Sequence, residues 1–169
     1  MRCTATRPEP RSEPMPTALE AMGRTPNATQ ALPHLITGGQ PGEAEFLALR
    51  DAGVEVILDI RDPMEPRPFD EAALVQTLGM RYYNIPVVAG RLDDTLMAAI
   101  LEVLRKEAGV STLFHCASGN RVGGALIPYL MQDAGMTEDD AITLAMRAGM
   151  RSSELLEWGT DYARRTSAG

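Results

Sequence analysis

The chain has few of the residues that build disulfide frameworks, metal centres and aromatic cores. Among its 169 residues are two cysteines, two histidines and one tryptophan, and the aromatic share is 5%. Two widely separated cysteines, Cys3 and Cys116, exclude a disulfide framework, and with only two histidines they lack the spacing of a metal site. No apolar run is long enough to span a membrane, and the first residues lack the apolar segment of a signal peptide. We therefore expect a soluble cytoplasmic protein that uses no metal and no other cofactor.

Positive charge is also scarce. The chain has 16 Lys and Arg against 23 Asp and Glu, which gives a formal net charge of −7. This balance argues against nucleic acid and acidic membrane surfaces as partners. It does not exclude an anionic substrate, because a local loop of backbone amides and one arginine can overcome a diffuse negative field. The sequence leaves the oligomeric state undecided.

The first thirty residues differ in composition from the rest of the chain. Residues 1–30 are rich in Pro, Thr, Glu and Arg and poor in large apolar residues, so we expect a flexible leader. From Ala31 onward, segments with the pattern of strands alternate with amphipathic helices, and we assign residues 31–166 to one domain. This alternation predicts an α/β fold in which a mostly parallel central sheet is flanked by helices.

The most informative segment is LFHCASGNR, residues 113–121. It has the pattern of a buried strand that ends in a cysteine-bearing loop, which closes on Arg121 where a helix begins. A thiolate at a helix N-terminus faces free backbone N–H groups and the positive end of the macrodipole, which stabilise the charged sulfur. The planar guanidinium of Arg121 suits a pair of phosphate or sulfate oxygens. We therefore predict that Cys116 is a catalytic nucleophile and that Arg121 binds an anion.

The order His-Cys, small residues, Gly, polar residue and Arg resembles the active-site loop of cysteine-dependent phosphatases and of rhodanese-type sulfurtransferases. Over about residues 32–162, the chain is similar to the beta-lactamase-hydrolase-like phosphatases, a bacterial branch of the dual-specificity and tyrosine phosphatase superfamily. The segments that carry this similarity are TGGQP, VILDIR, FDE and YNIPV. The resemblance implies a tyrosine-phosphatase-like fold of the dual-specificity type. It also implies hydrolysis of a phosphorylated protein or a small phosphate ester through a phosphocysteine intermediate.

The loop departs from the phosphatase pattern in its length. Four residues separate Cys116 from Arg121, one fewer than usual, so Val122 stands where the phosphatase arginine would fall. A smaller cradle is what rhodanese-type enzymes use, so the alternative function is sulfur transfer from a sulfane sulfur donor through a persulfide on Cys116. A third interpretation is an anion-binding regulatory module with weak turnover, because the usual general acid and a hydroxyl after the arginine are both missing.

The residues around the nucleophile have predicted supporting roles. Because consecutive side chains of a strand point to opposite faces, His115 cannot easily share a proton with Cys116, and we expect it to support the loop instead. Four loop residues are predicted to bind substrate, mainly through their backbone amides: Ala117, Ser118, Gly119 and Asn120.

No motif marks the general acid. The resemblance implies an aspartate in the loop after the Ile-Pro-Val segment, but Val88 stands at that position. Asp93 and Asp94 lie a few residues further on and are the candidates for this role, although either residue also suits the N-cap of the following helix. Asp62 and Glu65 are the other carboxylates expected near the rim of the site.

Overall fold

The computed structural model describes residues 14–167. Five strands form one sheet in the order β1-β2-β5-β3-β4. β1 pairs antiparallel with β2, and the other three pairings are parallel. The predicted α/β fold with a mostly parallel sheet is therefore confirmed. The strand bounds are β1 Thr29–Leu32, β2 Leu35–Gly38, β3 Val56–Asp59, β4 Arg81–Asn84 and β5 Thr112–His115.

Seven helices occur within residues 14–167. Most of them begin where a Thr, Asp or Ser side chain accepts a hydrogen bond from the first turn, as the N-cap preference predicts. None of the helices in this described range is long and apolar enough to cross a membrane. The helix bounds are α1 Ala18–Ala21, α2 Glu43–Asp51, α3 Glu71–Thr77, α4 Asp94–Lys106, α5 Asn120–Gln132, α6 Glu138–Arg147 and α7 Ser153–Thr166.

The sheet is covered by helices on both faces. One apolar cluster packs α4, α5, α6 and α7 against the sheet, and a second packs α1, α2 and α3 against the other face. Neighbouring β5 residues contribute to different clusters, Phe114 to the first and Leu113 to the second, because successive side chains of a strand alternate. β5 thus lies in the middle of the sheet, buried on both sides, and gives the loop after it a rigid base.

Ordered structure begins earlier than predicted. Helix α1 and the start of β1 lie within the predicted leader, Met22 is fully buried in the second cluster, and β1 pairs with β2. The predicted domain start at residue 31 is therefore wrong, because a few buried residues are enough to anchor a segment that is polar on average. Residues 1–13 of the predicted leader, which include Cys3, lie outside the described residues.

Candidate active site

Cys116 lies at the carboxyl end of the central strand β5. The residue is fully buried, and its Sγ accepts a hydrogen bond from the backbone N–H of Gly119 at 3.1 Å. Helix α5 begins at the next residue, Asn120. The sulfur therefore lies at the N-terminus of a thirteen-residue helix, where free N–H groups and the macrodipole favour a negative charge. This is the arrangement that a stabilised thiolate requires.

The loop after Cys116 is held by hydrogen bonds to its carbonyl groups. The backbone N–H of Gln40 donates to the carbonyl oxygen of Ala117 at 3.0 Å. The side-chain amide of Asn27 donates to the carbonyl oxygen of Ser118 at 2.7 Å. Both partners belong to segments near the amino-terminal end of the described chain, so the loop is fixed by contacts that are distant in sequence.

Two glycines allow neighbouring loops to approach the cysteine loop closely. A Cβ on Gly119 would lie 2.1 Å from the carbonyl oxygen of Ala148, and one on Gly39 would lie 2.6 Å from that of Ala117. Gly119 also has a φ of 93°, in the left-handed region that favours glycine. Glycine is therefore required at both positions for this loop to pack as it does.

Asn120 connects the cysteine loop to α7. Its Oδ1 accepts hydrogen bonds from the backbone N–H groups of Arg151 at 2.7 Å and of Ser152 at 3.2 Å. Ser152 is the N-cap of α7, so this side chain fixes the start of α7 beside the start of α5. Oδ1 of Asn120 is thus occupied by structural contacts, while the residue also lines the cavity described below, and its predicted part in substrate binding stays a prediction.

Arg121, in the first turn of α5, forms a two-bond ion pair. Its Nη1 and Nη2 donate to the two carboxylate oxygens of Glu65 at 2.7 and 2.9 Å, and Nη1 also donates to the carbonyl oxygen of Val87 at 3.2 Å. The hydrogen bond to Glu65 and the nearby Cys116 sulfur raise the pKa of Arg121, against the opposing effect of burial. The guanidinium is thus held by Glu65 and Val87 and lies within hydrogen-bonding reach of the Cys116 sulfur.

Glu65 is held in its ionised form. The hydrogen bond from Arg121, opposed by burial and reinforced by the backbone N–H of Asp62 and the charge of Arg61, lowers the pKa of Glu65 to about 2. A carboxyl group with that pKa carries no proton at neutral pH and cannot act as the general acid. The sequence placed Glu65 near the rim, but its contact with Arg121, 56 positions further along the chain, was not predictable from it.

A buried histidine supports the loop from below. The Nδ1 of His115 lies 3.1 Å from the carbonyl oxygen of Cys116, and its Nε2 lies 2.8 Å from a carboxylate oxygen of Glu71. Burial alone lowers the pKa of His115, but the hydrogen bond to Glu71 and the charges of Glu71 and Asp59 raise it above its ordinary value. The carbonyl and carboxylate oxygens are acceptors, so the geometry places both ring nitrogens to donate. This geometry is what the predicted loop-supporting role of His115 requires.

The ligand-type atoms of Asp59, Glu71 and His115 lie within 4.8 Å of one another. They do not suit a metal, because their atoms are already engaged in hydrogen bonds. The Oδ2 of Asp59 accepts from the hydroxyl of Tyr82 and from Nη1 of Arg67, each at 2.6 Å, and Glu71 binds His115. A metal ion would also meet the guanidinium of Arg67. The cluster is a network of buried charges beneath the cysteine loop.

A cavity of about 390 Å³ opens beside Arg121. Its walls come from the loops after β3 and β4 and from the first turns of α5 and α7, so it lies outside the carboxyl ends of the strands, where α/β folds bind ligands. Its volume suits a small organic molecule. The lining residues are apolar Val87, Val88, Ala89, Leu92 and Leu155, acidic Asp62, Glu65 and Glu154, and Asn120, Arg121 and Ser152.

The predicted general acids lie outside this cavity. Oδ1 of Asp93 accepts from the backbone N–H of Leu96 at 2.8 Å as the N-cap of α4. The carboxylate of Asp94 binds Arg165 through two hydrogen bonds of 2.7 and 2.8 Å, which lower its pKa. Neither position supports the predicted role, and the N-cap interpretation is correct for Asp93.

Comparison with solved structures identifies the fold. A DUF442 protein from Shewanella putrefaciens CN-32, described as a candidate phosphatase, superimposes with a TM-score of 0.73 at 23% identity, over 87% of this chain and 97% of its own. The catalytic domain of the PP-IP phosphatase SIW14 from S. cerevisiae gives 0.67 at 16% identity, over 85% and 92%. TpbA from P. aeruginosa, in complex with pTyr, gives 0.65 at 18% identity, over 85% and 91%.

These similarities show that the chain has the fold of the tyrosine-phosphatase-like enzymes, as predicted. No family model matches the sequence, and no curated protein matches it. The assignment to the beta-lactamase-hydrolase-like branch therefore stays a prediction.

Proposed function

We propose that the protein is a cysteine-dependent hydrolase of phosphate monoesters. The observation that carries this proposal is the position of the Cys116 sulfur, 3.1 Å from the N–H of Gly119 at the N-terminus of α5, with Arg121 in the first turn. A sulfur nucleophile, backbone donors and a guanidinium together form a site for a tetrahedral oxyanion. The phosphatase descriptions of the structural neighbours, and the phosphotyrosine bound to TpbA, support this substrate class.

In the proposed mechanism, the thiolate of Cys116 attacks phosphorus and forms an S–P bond while the P–O bond to the leaving group breaks. The backbone amides of residues 117–120 and the guanidinium of Arg121 stabilise the equatorial oxygens as charge develops on them. Water then attacks the phosphocysteine, which releases phosphate and restores the thiolate. Glu65 fixes the orientation of the guanidinium, and His115 contacts the carbonyl oxygen of Cys116, so the site is preorganised.

The leaving group must take up a proton or leave as an anion. Val88 stands where the resemblance implies the acid, and Glu65 is ionised. The cavity holds two further carboxylates, Asp62 and Glu154, and one oxygen of each already accepts a hydrogen bond from a backbone N–H. We therefore propose that leaving groups of low pKa, such as phenols, are favoured over alcohols, because they leave readily without protonation.

Sulfur transfer through a persulfide on Cys116 is the second proposal, and the four-residue spacing between Cys116 and Arg121 favours it. The cavity favours the phosphatase. A donor such as thiosulfate is small and anionic, whereas the cavity of about 390 Å³ has an apolar wall and three carboxylates. An organic leaving group uses that wall, and thiosulfate does not.

The deciding experiment is a pair of assays, one with p-nitrophenyl phosphate and one with thiosulfate plus cyanide. We expect phosphate release that is abolished in Cys116→Ser. In Arg121→Lys it should fall on the order of a hundredfold, because lysine keeps the charge but loses the planar pair of donors. Arg50→Lys, which changes an exposed arginine on α2, is the matched control and should keep full activity.

If the protein is active in the thiosulfate assay but not with p-nitrophenyl phosphate, the phosphatase proposal is wrong and sulfur transfer is the function. Binding of vanadate without turnover of either substrate would instead identify an anion-binding module.

A further inference from the structure

The cavity beside Arg121 has an unusual charge for a site that accepts a phosphate. Among the described residues, Arg121 is the one cation that lines it, and it pairs with Glu65 at 2.7 Å, a carboxylate that Arg61 also contacts at 3.3 Å. Asp62 and Glu154 complete the charged lining, and neither has a Lys or Arg nitrogen within 4.0 Å among residues 14–167. The part of the cavity that would hold the leaving group therefore has two carboxylates without a cation in direct contact.

The two unpaired carboxylates are fixed on different walls. Oδ1 of Asp62 accepts from the backbone N–H of Met64 at 2.9 Å, within the loop after β3. Oε1 of Glu154, in the first turn of α7, accepts from the backbone N–H of Gly90 at 3.3 Å, in the loop after β4. A ligand that fills the cavity thus meets negative charge from two directions.

Between these carboxylates the wall is apolar. Two valines and a leucine of the loop after β4 and one leucine of α7 line it; Val88 and Leu92 are partly exposed to solvent, and Val87 and Leu155 are buried. Covering such a surface with an apolar group is favourable, because it removes apolar area from water. The cavity is also larger than a phosphate group requires, so it has room for a ring next to the phosphate.

We propose that this cavity selects phosphate monoesters whose leaving group is an apolar ring with no negative charge, and that it prefers a ring with a positively charged end. This inference rests on the proposed function, since it names the substrate class of the same site. A cationic end binds Asp62 and Glu154, whereas a second anionic group meets repulsion from both. The site therefore discriminates against esters that carry several phosphates or a carboxylate.

The test compares three aryl phosphates that differ only at the para position: aminomethyl, methyl and carboxymethyl. We expect kcat/KM at low ionic strength to decrease in that order, and added salt to reduce the differences. Glu154→Gln and Asp62→Asn keep the acceptor for their backbone N–H but remove the charge. Each should lower the ratio of the cationic to the anionic substrate about threefold to tenfold.

Glu157→Gln is the matched control. Glu157 lies on the same helix, α7, is exposed, and does not line the cavity, so this variant should keep the wild-type ratio. A ratio that changes equally in the control would assign the effect to the overall negative field and overturn the inference. So would hydrolysis of all three esters at equal rates, which would leave the proposed function intact. Absence of hydrolysis for all three, by contrast, would refute the proposed function itself.

Discussion

Replacing Glu65 with glutamine tests whether its contact with Arg121 organises the site. The variant keeps the shape of the side chain but removes the charge that Arg121 binds at 2.7 and 2.9 Å. A pKa lowered from 4.5 to about 2 corresponds to about 3 kcal/mol, at about 1.4 kcal/mol per pKa unit. Because 28% of the Glu65 side chain is exposed, solvent screening reduces this to about 1–2 kcal/mol.

The sign of the pH dependence follows from the lowered pKa. The stabilisation by Glu65 is complete above pH 4.5, the ordinary value of the group, and is lost as pH falls toward 2. Urea unfolding at pH 7 should therefore show Glu65→Gln to be less stable than the wild type by about 1–2 kcal/mol, and at pH 3 the difference should shrink to less than half. Because glutamine does not titrate, the variant should not show the decrease in stability that protonation of Glu65 causes in the wild type at low pH.

Activity provides a second measurement on the same variant. Because Arg121 loses the partner that orients it, kcat/KM for p-nitrophenyl phosphate should fall on the order of tenfold. Glu102→Gln, at an exposed position of α4, is the control and should change neither quantity. A Glu65→Gln protein with wild-type stability at both pH values would refute the reasoning, since the lowered pKa would then have no energetic counterpart.

Three further predictions concern the loop, the excluded acids and the buried histidine. In urea unfolding, Gly119→Ala should be less stable than Gly53→Ala by about 1–3 kcal/mol. The φ values of Gly119 and Gly53 are nearly equal, 93° and 92°, but only at Gly119 would the new Cβ clash with another atom. Asp93→Ala should lose about 1 kcal/mol as a removed N-cap, and both it and Asp94→Ala should keep full phosphatase activity. The free energy of unfolding of the wild type should fall as pH rises above 6.5, the ordinary pKa of histidine. Because the pKa of His115 is raised in the folded protein, its contribution to stability is complete below pH 6.5 and is lost as pH rises through the folded-state pKa. In urea titrations, His115→Gln should remove this pH dependence.

The elements that the sequence predicted correctly are those with local signals. The run of apolar residues before Cys116 became the buried strand β5, and the helix caps at Asp70, Thr137 and Ser152 lie where the N-cap preference puts them. β4 ends at Asn84, two residues before Pro86, which has no N–H to donate to a neighbouring strand. Patterns of this kind depend only on residues close together in the chain.

The contacts that organise the candidate site were not predictable in the same way. Glu65 reaches Arg121 across 56 residues, and Glu71 reaches His115 across 44. Neither glutamate stands in a pattern that marks a partner, because a carboxylate in a loop or at a helix start is most often solvated or caps the helix. Their roles appear only when the parallel sheet brings the loops after β3 and β5 to the same edge.

The short spacing in the cysteine loop is compatible with an anion-binding arginine for a geometrical reason. Each residue of a helix rotates its side chain by about 100°, so moving the arginine one position earlier points it toward a different neighbour. At position 121 it meets Glu65 and the carbonyl oxygen of Val87, which hold the guanidinium beside the cavity. In the shorter loop, Glu65 and the carbonyl oxygen of Val87, which lie on adjoining loops, therefore fix the position of the arginine. The spacing alone therefore does not decide between phosphate and sulfur chemistry, and the charge and lining of the cavity become the stronger criterion.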